Sequence, residues 1–119
     1  MDIYTISGNK RFIGNVTTNS EFVEPNTLVG FENHIGQTYL GDDVTPLASV
    51  VVGNGNNGQD KTEGARYKNV FGTYLHGALL PKNPHFADYL TELALGFKPN
   101  TIDDKIEINA HNALIKKDY

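Results

Sequence analysis

This 119-residue sequence predicts an α/β fold with its strands gathered early in the chain and its helices at the end. Two observations carry that prediction. Short β-branched and aromatic stretches separated by Gly, Asn and Pro dominate residues 1–76, and helical periodicity takes over from residue 83. The composition, 39% hydrophobic and 20% charged, is that of one compact domain, so residues 1–119 are read as a single unit.

Strands are expected at residues 2–6, 11–18, 27–33, 48–52 and 69–75. The stretch 53–64, GNGNNGQDKTEG, packs four Gly and three Asn into twelve residues and reads as a loop. It is not a linker, because the strands after it are too few to form a core of their own. A first helix is expected from Asn83 as N-cap and Pro84 at the first helical position, with Phe86, Tyr89, Leu90, Leu93 and Ala94 on one stripe and Gly96 and Pro99 closing it. A second is expected to start after Thr101 or Asp103. It would turn Ile106, Ala110, Ala113 and Leu114 to one face and carry Lys116 and Lys117 in its last turn, where cations suit the helix dipole.

Charge and residue usage exclude several functions. Ten basic residues against fourteen acidic ones give a net charge of −4, whose field opposes a polyanion, so nucleic acid is not an expected partner. No apolar run approaches a membrane span and the N-terminus has no apolar core, which predicts a cytoplasmic protein. The absence of cysteine excludes disulfides, thiolate zinc sites and a cysteine nucleophile from this chain. Ser7, Ser20 and Ser49 lack a nucleophile elbow. Gly53 and Gly58 have P-loop spacing, but Gln59 and Asp60 intervene before Lys61 and Thr62, and Asp60 would repel phosphate. Asn15-Val16-Thr17 matches a glycosylation acceptor without a secretory signal to give it meaning.

His34, in GFENHIG, and His76, in GTYLHGALLP, are read at places where strands meet Gly-containing turns. A buried strand ending at Leu75 would deliver His76 to the sheet edge, where ligands bind in α/β folds. His76 is therefore a general-base candidate, beside the alternative of a histidine hydrogen-bonded at a strand end for packing. Glu32 and His34 lie two apart, on one strand face, which suits a ligand pair or a hydrogen-bonded pair; a metal site with His76 is conceivable, but the spacing is not diagnostic and none is assigned. His85 and His111 fall on helices and read as solvent-facing or structural.

GFENHIGQTYL at 30–40 and YKNVFGTYLHGALLPKNP at 67–84 resemble the class I glutamine amidotransferase domain of cobyric acid synthase type. With the GNGNN loop and the DKTEG stretch they are most similar to the small glutaminase subunits of lipid II isoglutaminyl synthase. The resemblance implies a flavodoxin-like fold, of which this chain would be the C-terminal portion: a mixed sheet of about five strands followed by two helices. It implies hydrolysis of L-glutamine by a cysteine thiolate, with His76 as catalytic base and Arg11 holding the substrate carboxylate through paired hydrogen bonds. Glu32, His34 and Gly77 would shape the pocket. The ammonia would pass to a Mur-ligase-like synthase subunit that amidates the D-glutamate of lipid II during peptidoglycan synthesis, and no cofactor is implied.

Two departures accompany it. The family's cysteine lies in an N-terminal half that precedes the part resembled here, so this chain by itself is expected to be inactive. Ala78 stands where many relatives place the triad carboxylate; a partner aspartate, or Glu32, would have to substitute. Apolar stretches at 50–52 and 70–71 are expected to face water unless a homo-oligomer or docked partner covers them. The alternative reading is a non-catalytic module that docks a Mur-ligase-like protein or a small amino-acid ligand.

Overall fold

The computed structural model describes residues 1–98 and 103–118. A long strand β1 (Ile3–Asn19) pairs antiparallel with β2 (Thr27–Leu40), and on the other side of β1 lie β3 (Ala48–Val52) and then β4 (Thr62–Glu63). A separate two-stranded ribbon, β5 (Ala65–Tyr67) and β6 (Val70–Gly72), follows, and then helices α1 (Leu79–Lys82), α2 (Pro84–Leu95) and α3 (Lys105–Asp118).

The α/β class holds, but the mixed sheet of about five strands does not form among the described residues. All pairings there are antiparallel. Seven residues join β1 to β2 and seven join β2 to β3, whereas a parallel crossover needs a dozen or more. Three helices follow instead of two, α1 being a single turn that the sequence pattern did not mark. The strands expected at 2–6 and 11–18 are one strand, because a bulge between Ser7 and Phe12 absorbs the Gly-Asn-Lys interruption instead of ending the pairing. Likewise β2 runs on through His34 and Gly36 to Leu40, so His34 lies inside a strand and not at a turn.

Strand alternation divides the hairpin into two faces. Leu28, Gly30, Glu32, His34 and Thr38 of β2 are buried, and the register sets Phe12, Val16 and Thr18 beside them. This face carries the core of Val16, Val23, Leu28, Leu47, Leu75 and Phe86, with Phe22, Phe71, Leu79, Tyr89 and Leu90 packed against it. Gly30 belongs to the same face because a Cβ there would stand 2.9 Å from that of Leu75. The opposite face, carrying Phe31, Asn33 and Ile35 of β2 with Ile6, Ile13 and Asn15 of β1, is largely open: Ile6, Ile13 and Ile35 are exposed. Val51 and Val70, in the stretches expected to meet water, are exposed as well.

The Gly-rich segment is an ordered knot. Asn56 donates to the Thr62 hydroxyl and the Gly64 carbonyl, and Asn57 donates to the Thr38 carbonyl and Asp60. Its own side chains take up the Gln59 and Asp60 amides at Asn57 Oδ1, the Thr62 amide at Asp60 Oδ1 and the Gly64 amide at Asn56 Oδ1.

Helix α2 begins at Pro84 and ends on left-handed Gly96, as its signals predict. Asn83 makes no side-chain cap, however. Its amide accepts from the Val29 N–H at 2.7 Å and donates to the Val29 carbonyl at 2.7 Å and the Leu79 carbonyl at 2.8 Å, so it pairs with the β2 edge as a strand residue would. Helix α3 docks through His111, which is buried, with Glu107, Leu114 and Ile115 beside it at helical spacing. Ile106, Ala110 and Ala113, expected inward, are exposed. Pro99, Thr101 and the side chains of Lys116 and Lys117 lie outside the described residues.

Candidate functional site

His76 reaches the site through the β2 edge. Its N–H donates to the Phe31 carbonyl at 2.8 Å and its carbonyl accepts from the Phe31 N–H at 3.2 Å, an isolated antiparallel bridge. Residues paired in this way project from the same face, so the His76 imidazole stands with Phe31 on the open face while Leu75, one residue back, is buried in the core. The His76 side chain is exposed. Beyond it the chain turns sharply: Gly77 and Ala78 both have left-handed backbones, φ 78° and 59°. A non-glycine residue held there signals a conformation over-determined by its surroundings, here the turn that sends the chain from the sheet edge into α1.

Arg11 emerges at the bulge of β1 next to buried Phe12, and its Nη1 donates to Asn33 Oδ1 at 3.0 Å. Asn33 is two residues from Phe31 on β2, so Arg11 and His76 share the open face from opposite sides of β2. Their strands are on the order of 10 Å apart. A guanidinium and an imidazole carried on one face by strands so spaced can hold a small amino acid by its carboxylate at one end and act on its side chain at the other.

Glu32 and His34 are not brought to this pair; they project into the core from the opposite face. The Glu32 carboxylate accepts from Asn54 N–H at 3.0 Å, Asn54 Nδ2 at 2.8 Å and Gly55 N–H at 2.9 Å, which ties the Gly-rich segment to the sheet. It is therefore not placed to substitute as triad acid for His76. His34 donates from Nδ1 to the Gly36 carbonyl at 2.8 Å and stacks on Tyr74 with ring centroids 3.7 Å apart. Its Nε2 stands 4.0 Å from Glu32 Oε2 without a hydrogen-bond partner. Among the described residues no group of three or more His, Cys, Asp or Glu is arranged to hold a metal ion.

Glu63, which the sequence reading did not single out, is fully buried behind the site. Its carboxylate accepts from the Tyr74 N–H at 2.7 Å and the Thr73 hydroxyl at 2.9 Å. Burial pushes its carboxyl up to about 7, with the negative charge of Glu32 adding to the rise and the Tyr74 and Thr73 hydrogen bonds opposing it. In the sequence it is one of two carboxylates, with Asp60, inside the Gly-rich segment 53–64, which by itself reads as a solvated loop.

Residues 1–84, which hold Arg11, His76 and the turn after it, match the CobB/CobQ-like glutamine amidotransferase domain. The chain belongs to that family. It is 45% identical to the subunit GatD of lipid II isoglutaminyl synthase (glutamine-hydrolyzing) from Staphylococcus aureus strain N315, over 98% of this chain and 49% of the relative. The corresponding subunit from Streptococcus pneumoniae is 48% identical over 80% of this chain and 36% of the relative. A probable cobyric acid synthase from Methanothermobacter thermautotrophicus is 45% identical over 56% of this chain and 13% of the relative. The chain thus spans about half the length, or less, of the curated relatives it matches. Among its described residues, no helix is long and apolar enough to cross a membrane.

Proposed function

We propose that this chain supplies the base-and-anchor part of a glutaminase site, with Arg11 binding the carboxylate of L-glutamine and His76 serving as general base. The observation that supports this best is their shared open face: an exposed imidazole held by a two-bond backbone bridge and an exposed guanidinium. The nucleophile is a cysteine contributed by another polypeptide segment, since this sequence has none. His76 takes the thiol proton, the thiolate attacks the side-chain amide carbon, and the imidazolium returns the proton to the departing ammonia as the C–N bond breaks. Water then cleaves the thioester to glutamate, with His76 again as base. No redox step or cofactor enters.

By likeness to the glutamine-hydrolyzing isoglutaminyl synthase subunits, the ammonia serves amidation of lipid II, delivered to a Mur-ligase-like synthase subunit. The flavodoxin-like fold of the family is completed on this reading when further strands join the present sheet.

Titration of the isotope-labelled chain with L-glutamine tests the anchor. Chemical-shift changes are expected at Arg11, Asn33, Phe31 and His76, and they are expected to disappear in Arg11→Ala. Changes centred on Asn54 and Tyr74, across the sheet, would contradict the assignment. The exposed Ile6, Ile13 and Ile35 favour a second reading, a docking module for the synthase partner. That reading predicts partner binding that survives His76→Ala without any glutamine hydrolysis.

A further inference from the structure

We infer that Glu63 is a positioning residue for His76, acting from the far side of the sheet through the backbone of residues 73–75. The inference rests on the reading of His76 as the general base. Those three residues belong to neither strand nor helix, so no ladder holds them. Their amides are nevertheless anchored in sequence. The Tyr74 N–H donates to Glu63 Oε1 at 2.7 Å; the Leu75 N–H donates to Thr73 Oγ1 at 3.0 Å, and that hydroxyl in turn donates to Glu63 Oε2 at 2.9 Å. The next amide, of His76 itself, donates to the Phe31 carbonyl. Three consecutive amides are thus fixed, one directly by the Glu63 carboxylate and one through the Thr73 hydroxyl that it holds.

Glu63 is well placed to impose geometry. It is fully buried, and its strand is paired through Ala48 with β3 and so with the main sheet. Tyr74, once held, closes a second contact, its hydroxyl 2.7 Å from that of Thr38 and its ring on His34. The bridge at Phe31 alone would leave the imidazole free to swing with the segment that precedes it. A base must stand within hydrogen-bond reach of the proton it abstracts, and a 1 Å error there is costly. A buried carboxylate accepting amide hydrogen bonds is among the stronger ways to remove such freedom.

The test is residue-by-residue amide hydrogen exchange in the full chain, comparing wild type with Glu63→Gln and with Thr73→Val. The second change is at an exposed residue and keeps the protein foldable if loss of the buried carboxylate does not. Exchange at Tyr74, Leu75 and His76 is expected to rise roughly tenfold or more, while Val16 and Leu28 in the core stay unchanged. In a chain reconstituted with a cysteine-bearing segment, Thr73→Val should lower kcat and leave KM in place. Unchanged exchange at His76 in Thr73→Val would overturn the inference. So would a rise shared equally by Val16 and Leu28, which marks a merely structural role. If instead His76→Ala leaves ammonia release intact, the base assignment fails whatever the exchange data give.

Discussion

Replacing Asn83 by Ala removes four hydrogen bonds, to the N–H and carbonyl of Val29, the Leu79 carbonyl and His111 Nδ1, and leaves the buried edge of β2 unpaired at both the N–H and the carbonyl of Val29. Each orphaned buried group costs about 1–3 kcal/mol, so Asn83→Ala should destabilise the fold by about 3 kcal/mol or more, read from the denaturant midpoint. Glu63 makes a prediction of opposite character. Its folded carboxyl titrates at about 7, above the 4.5 of an unperturbed glutamate, so the folded state holds its proton more tightly than the unfolded chain does. The resulting stabilisation is complete below about pH 4.5 and is lost as pH rises through 7. Stability against pH should therefore fall across that window, and Glu63→Gln should flatten the slope. A variant whose curve follows wild type across the same interval would contradict the titration of Glu63.

Helix α3 is held at the scale of the element by His111, whose Nδ1 lies 2.9 Å from the Lys82 carbonyl at the end of α1 and 3.2 Å from Asn83 Oδ1. Burial holds this imidazole below the ordinary 6.5, with neighbouring His85 adding to the effect and the Lys82 carbonyl opposing it. The stabilisation is present above pH 6.5 and is lost as pH falls through the depressed value. Amide protection factors along α3 should fall on acidification below that point before those of the β1–β2 hairpin do. His111→Ala is expected to show the faster exchange at every pH.

The hairpin itself shows why sequence boundaries erred. Gly8, Asn9 and Lys10 carry the signals of a break, yet a bulge lets the strand continue because both flanks still have β2 to pair with. The burial of His111 could not be read either, since an imidazole satisfied by carbonyls two helices away looks, in one dimension, like a polar surface position. For Asn83 and Pro84 the helix start was legible from local chemistry, but the use of the Asn83 side chain was not, because its partner Val29 lies 54 residues away.

Across the whole molecule, one sheet separates two kinds of chemistry. The core face gathers Glu32, His34, Glu63 and the Asn-rich knot, every one of them engaged in holding segments together. The open face carries Arg11 and His76 among exposed isoleucines. Motif resemblance singled out Arg11, Glu32, His34 and His76, since residue identity and spacing survive in one dimension. Their division between faces did not, because it depends on the register of β1 with β2 and on the bridge from Phe31 to His76. Glu63 went unread for the same reason: its role is visible only once residues 73–75 are folded against it.

The most direct test of the central claim is ammonia release from L-glutamine by this chain combined with a cysteine-bearing segment from the glutamine-hydrolyzing relatives, measured for wild type and His76→Ala. Wild type should release ammonia only in the combination, and His76→Ala should lose at least about a hundredfold in kcat, the usual contribution of a positioned base. Equal rates for the two chains, or release by this chain alone, would contradict the account.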